Sequence, residues 1–164
     1  MATVDNPFDK VRGKMVAARI EFMGQLAKFN SEELLRNPTG EEEWTPLQLA
    51  HHLYVADGLA LETMQRVQNE DNPLIEDLGE ETPRRTRAAE PPTSLDAVLA
   101  GMAARREELF QYLSELPNDA WERPLRHPAF GQLKFYQLVN ILPVHEKTHT
   151  QQLADIREAA GAKG

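Results

Sequence analysis

The stretch Phe135-Tyr136-Gln137-Leu138-Val139-Asn140-Ile141-Leu142-Pro143-Val144-His145-Glu146-Lys147-Thr148-His149-Thr150-Gln151-Gln152-Leu153-Ala154-Asp155-Ile156 decides how the chain folds. Taking every third or fourth residue gives Phe135, Leu138, Leu142, His145, His149, Gln152 and Ile156, the inward stripe of an amphipathic helix. Two histidines therefore stand where leucines would be expected. Residues four apart on a helix lie one above the other, with Cβ atoms about 5–6 Å apart, so both imidazoles can reach one point inside a helical bundle. That is metal-ligand geometry. Hydrogen bonds to carboxylates or carbonyls would explain a lone core histidine better; a pair at this spacing on an apolar stripe favours a metal. Pro143 removes the bond to the Val139 carbonyl and predicts a kink about one turn before the histidines.

Three more long segments carry the same periodicity. Asp5 or Asn6 before Pro7 starts a first helix whose stripe is Phe8, Val11, Met15, Ala18, Phe22, Leu26 and Phe29. Residues 30–43, with Ser31-Glu32-Glu33-Leu34-Leu35 as one capped turn and Asn37-Pro38-Thr39-Gly40 as breakers, form a connection. Thr45-Pro46 has the cap and first-turn pattern of a second helix reaching Asn69, buried over most of its surface because it holds only Asp57, Glu62 and Arg66 as charges. Residues 70–92, with Pro73, Pro83, Pro91 and Pro92, read as a long crossover. Thr93 or Ser94 caps a third helix through Leu95, Val98, Met102, Leu109, Leu113 and Leu116 until Pro117, and Asn118 to Glu122 adds a short turn. Pro124, Pro128 and Gly131 bound a further loop, and the last helix opens near Leu133. With no alternating strand pattern of any length, this is an all-α four-helix bundle with long crossovers, one domain over residues 1–164.

Composition narrows the function. A net charge of −8 and a pI near 5.1 argue against a phosphate-tracking surface, so no nucleic-acid partner is expected. The one basic cluster, Arg84-Arg85 with Arg87, sits among Glu80, Glu81 and Glu90 and reads as a solvated loop. Absence of cysteine excludes disulfides, a protein thiolate nucleophile and thiolate metal ligands, leaving His and carboxylate to hold any metal. No secretory signal and no membrane span are visible, which points to a cytoplasmic protein without a membrane partner.

A catalytic site of the zinc type needs a third ligand. His52 lies on the stripe Leu49, His52, Ala56, Leu59 and Thr63, His51 is turned about 100° away from it, and His127 stands in a loop; they rank in that order. Here the residues carry a resemblance. Trp44-Thr45-Pro46 followed by Ala50-His51-His52-Leu53 resembles the start of the second helix in the DinB/YfiT-like superfamily, where the tryptophan precedes a ligand histidine by eight positions. His145-Glu146-x-x-His149-x-x-Gln152 is similar to that superfamily's last helix. The resemblance spans the first helix through Ile156 and implies an up-up-down-down bundle, often a homodimer, binding one divalent metal through His52, His145 and His149. Zn or Ni suits these ligands first, then Fe or Mn. Characterised relatives of this kind include transferases of low-molecular-weight thiols, isomerases using a thiol cofactor and metal hydrolases.

The expected function is a metal-dependent small-molecule enzyme of thiol-transferase or hydrolase type, the ion lowering the pKa of a water or thiol. Two other readings compete: a non-catalytic metal-binding stress-response dimer, and a plain bundle with satisfied histidines. His145-Glu146-Lys147-Thr148-His149 also fits H-E-x-x-H, but no later histidine and a short helical tail disfavour a metallopeptidase. Glu146, about 100° off the stripe, reads as an exposed residue slightly better than as a partner behind the ligands. Gln152 orients a histidine or is a buried amide. Trp44 walls the pocket or is simply core, and His51 is a further pocket candidate. Substrate entry is expected beside the 70–92 crossover or the 123–131 loop.

Overall fold

The computed structural model describes residues 6–40, 43–76, 78 and 94–163. Most of the crossover, including its arginine cluster, lies outside the described residues, as does Thr93. Four long helices are seen among the described residues, and side chains close the N-terminal ends of the first three. In α1 (Pro7–Leu26) the Asn6 side chain accepts from the Phe8 N–H at 2.9 Å. A reciprocal capping box opens α2 (Pro46–Asn69): the Gln48 N–H donates to Thr45 Oγ1 at 3.1 Å, and the Thr45 N–H donates to Gln48 Oε1 at 2.9 Å. Ser94 is the observed cap of α3 (Leu95–Ser114), its Oγ accepting from the Ala97 N–H at 3.1 Å. The helix α4 (Phe135–Lys163) continues through Pro143. Helix α1 ends at Leu26, short of the expected Phe29, yet Phe29 stays in the core as the chain turns away. The expected short turns are 3₁₀ turns at Glu33–Leu35 and Asn118–Glu122.

One local expectation fails. The segment before α4 is not a bare loop but a hairpin of β1 (Pro124–His127) and β2 (Gly131–Lys134), antiparallel with Leu125 opposite Leu133. Four residues per strand are too few for alternation to stand out, although Leu125 and His127 do point inward between the exposed Pro124 and Arg126. Gly131 takes φ 74° at the turn, a conformation glycine adopts without a Cβ clash. After α2 the chain adds itself to the hairpin, the Ile75 N–H donating to the Arg126 carbonyl at 2.8 Å and the Arg126 N–H to the Pro73 carbonyl at 2.9 Å. Because Leu133 is engaged in this ladder, α4 begins two residues later than its apolar pattern does.

Two apolar clusters fill the bundle. One joins Phe8, Val11 and Met15 to Met64, Val67, Leu109, Leu113, Phe135 and Val139. The other joins Phe22 and Leu26 to Leu47, Leu53, Val98, Met102, Leu153 and Ile156. The start of α1 thus meets the ends of α2 and α3 and the start of α4, so the helices run up, down, down, up along the chain. Helix α1 packs chiefly on α4 and α2 on α3, α2 also touches α4, and α1 meets α3 only thinly. The expected up-up-down-down order is therefore not the one seen: α1 and α4 run together against α2 and α3, and of the three connections only that from α2 to α3 links parallel helices.

Between the two clusters each helix contributes one charged residue to a buried ion cluster. Arg19 of α1 donates from Nε to Glu146 Oε2 at 2.7 Å and lies 3.4 Å from Asp57 Oδ2 of α2. Arg106 of α3 donates from Nε to Asp57 Oδ2 at 3.0 Å and from Nη2 to Glu146 Oε1 of α4 at 2.8 Å. Asp57 and Glu146 are each 3% exposed and Arg106 is 8% exposed. Glu146 is therefore not the exposed residue its helical phase suggested: α4 is covered by α1 as well as α2, so a position 100° from the ligand stripe still faces inward. Removing one partner of a buried ion cluster leaves an uncompensated charge, which costs about 3–5 kcal/mol. The Asp57→Ala variant should lose about that much in urea unfolding, whereas substitution of the exposed Glu122, paired with Lys134 at the surface, should leave the urea midpoint nearly unchanged.

Candidate metal centre

The two histidines of α4 and His52 of α2 meet just beside this cluster. His149 Nε2 lies 2.9 Å from His145 Nε2, and His52 Nε2 lies 3.4 Å from the same atom. One ring nitrogen from each falls within 4.8 Å of the other two. The rings stand nearly edge to face, with centroids 4.4 Å apart for His145 and His149 and 4.6 Å for His52 and His149. Zn–N bonds of about 2.0–2.1 Å in a tetrahedron put ligand nitrogens about 3.3 Å apart, and the distances from His145 Nε2 to the other two match that within a few tenths of an ångström. The local cause is helical phase. His145 and His149 are one turn apart on α4, and His52 comes from a buried turn of α2 held in register by Leu49, Leu53 and Asp57.

Electrostatics suit neutral ligands. Burial, followed by repulsion from His149, His145 and His51, lowers the His52 pKa to about 3. Burial and then His149 lower that of His145 to about 4, against an opposing pull from Glu146. His149 is also lowered by burial, with Gln152 and Glu146 opposing. All three are neutral at pH 7 and carry lone pairs able to bind an ion. His149 Nδ1 donates to Gln152 Oε1, which leaves the lone pair on the Nε2 that faces the cluster. Gln152 thus takes the orienting role, and does so while its own side chain remains exposed. Three converging neutral nitrogens with no thiolate nearby fit a divalent ion.

The other sequence candidates divide. Trp44 packs its ring 4.7 Å from His52 and is half-buried against the cluster of Phe22, Leu26 and Leu47. His51 is turned away, its ring stacked 6.0 Å from Tyr54. His127 belongs to the hairpin, where Nδ1 accepts the Ala129 and Phe130 N–H groups at 3.0 and 3.2 Å. The hairpin precedes α4, and His145 lies ten residues along that helix, so at about 1.5 Å per residue the two are about 15 Å apart along the axis. An entry beside the hairpin is therefore remote from the histidines; Trp44 stands nearer. Sequence reading missed Arg19, Asp57 and Arg106. The signal available was an arginine or aspartate within apolar stretches of three different helices.

Known proteins resemble this chain in sequence and in fold. GK0616 of Geobacillus kaustophilus strain HTA426, whose name assigns it provisionally to the metal-dependent hydrolases, is 30% identical over 136 residues, covering 80% of this chain and 74% of its own. The fold matches YfiT from Bacillus subtilis, described as a probable metal-dependent hydrolase with an unusual four-helix bundle topology, at a TM-score of 0.73 and 14% identity over 98% of this chain and 92% of that one. It also matches the colibactin self-resistance protein ClbS, solved in complex with double-stranded DNA, at a TM-score of 0.71 and 12% identity over 95% of this chain and 98% of that one. A family model for the DinB superfamily matches residues 15–153, which include every residue of the histidine and ion clusters, and the chain belongs to that superfamily.

Proposed function

We propose that the protein is a metal-dependent small-molecule enzyme, of hydrolase or thiol-transferase type, in which His52, His145 and His149 hold one divalent ion. The observation that carries this reading is the convergence of three neutral Nε2 atoms, two from buried histidines and one from the partly buried His145, with the tautomer of His149 imposed by Gln152. The name of the relative GK0616 favours hydrolysis over thiol transfer. Zn or Ni suits the donor set best. A bound ion would act as a Lewis acid that makes a water or thiol nucleophilic near neutral pH.

The chain's own residues hold and shield that site. Trp44 covers one face of His52 and keeps water from it. Gln152 keeps a proton on His149 Nδ1. Glu146 does not serve as the general base that H-E-x-x-H peptidases use, because both its oxygens are engaged by Arg19 and Arg106. The acidic charge of −8 favours a small molecule over a nucleic acid as substrate. The DNA in the ClbS complex is a property of that protein.

Metal content by mass spectrometry, on protein purified without a histidine tag, tests the reading. One divalent ion per chain is expected in the wild type and none in His149→Ala; protein that takes up no ion after reconstitution with Zn, Ni, Mn and Fe would defeat it. The Gln152→Leu variant should still bind metal, but about 10–100-fold more weakly in a chelator competition. Metal-free protein adds a pH signature. The folded pKa of His52 lies below the unfolded value of about 6.5, so its contribution is present above pH 6.5 and is lost as the pH falls toward 3. Between pH 7 and 5 the loss from His52 is on the order of 2 kcal/mol, and His52→Gln should flatten the fall in urea midpoint over that interval.

A further inference from the structure

The thin α1–α3 contact leaves a cleft of about 540 Å³ that contains none of the three histidines. That volume lies within the range of about 300–1,000 Å³ usual for small-molecule sites. One end is aromatic: Phe8 meets Phe110 edge to face at 5.7 Å, and the guanidinium groups of Arg12 and Arg106 lie 5.8 and 5.7 Å from the Phe110 ring centre. Met23, Leu99 and Met102 extend the apolar wall. The cationic groups on this wall are not fully used. Arg12 is exposed and has only its contact with Phe110 among the described residues. Arg106 commits Nε and Nη2 to Asp57 and Glu146, but its buried Nη1 has no acceptor. A buried guanidinium nitrogen without an acceptor is unfavourable, and an anionic oxygen is the partner that corrects it best. Glu107 is the one carboxylate on the lining, and of its three arginines Arg19 and Arg106 are already paired with Asp57 and Glu146, which leaves Arg12 as the cation at the rim.

We propose that the α1–α3 cleft is a second binding site, for a small organic anion whose aromatic body lies against Phe8 and Phe110 and whose carboxylate is held by Arg12 and Arg106. The site is separate from the histidine cluster and does not depend on the metal reading, although Arg106 connects it to Glu146, the neighbour of His145.

The test is calorimetry of 4-phenylbutyrate with the full-length, metal-loaded protein, beside the uncharged 4-phenylbutanamide. Two variants leave the ion cluster and the histidines untouched: Arg12→Glu reverses the rim charge, and Ala103→Trp fills the cleft from an exposed position on α3. Saturable binding of one phenylbutyrate per chain is expected, at least about tenfold weaker for the amide and for each variant, with metal content unchanged in both. Absence of saturable binding in the millimolar range would overturn the proposal, as would equal binding of acid and amide. Undiminished binding in Ala103→Trp would place the anion elsewhere, the histidines included. A sedimentation mass that halves in Ala103→Trp, without phenylbutyrate binding to the wild type, would assign the cleft to a second copy of the chain.

Discussion

Placing four charges inside a helical bundle, three of them buried, is tolerable only if opposite signs meet in place, and that requirement orders much of this structure. Arg19, Asp57, Arg106 and Glu146 have a formal sum of zero, and no three of them do. Each comes from a different helix, so the cluster cannot form until all four are in register. Apolar packing would tolerate a helix sliding by part of a turn, because leucine and methionine surfaces interchange with small losses. A guanidinium 2.7 Å from a carboxylate does not. The cluster is thus a source of register more than of net stability, since the desolvation of buried ions offsets most of their attraction.

The histidine trio benefits from that register directly. His145 precedes Glu146 by one residue, and His52 precedes Asp57 by five, so fixing the two carboxylates against Arg106 fixes α2 and α4 against each other within about one turn of the histidines. Metal sites demand ligand positions within fractions of an ångström, and rigid helices supply that better than loops do. His127 illustrates the alternative: buried within its own hairpin and held by backbone N–H groups there, it stays near the start of α4, away from the trio.

How much of this could be read from the chain depended on the range of the signal. Helical periodicity is local, so the four helices, the caps at Asn6, Thr45 and Ser94, and the shared face of His145 and His149 were all visible in windows of a few turns. His52 was legible because its own helix had a clear stripe and because its distance from Trp44 matched a family pattern. The hairpin was not, since strands of four residues give two inward positions at most. Glu146 was misread for a different reason: phase places a residue relative to its own helix, but whether that direction is solvent or a third helix is a fact of tertiary packing. Arg19 and Arg106 share that limit, because a long cationic side chain on a helix is usually a solvated one. The α1–α3 cleft is a gap between elements distant in sequence, for which no local pattern exists.

The placing of Glu146 has a chemical consequence as well as a structural one. Adjacent residues on a helix diverge by about 100°, so α4 presents His145 toward α2 and the carboxylate beside it toward the arginines of α1 and α3. Had the phase been reversed, an acidic oxygen would face the histidines, would raise their affinity for protons and would cancel part of the charge of any ion held there. With Glu146 committed to two guanidinium groups, the nitrogens remain neutral and the ion would keep its full double charge, the state in which it polarises a water or thiol most strongly. The ion cluster therefore separates two functions within one helical turn: it keeps the carboxylate in the bundle, where it aligns helices, and out of the site, where it would weaken the chemistry.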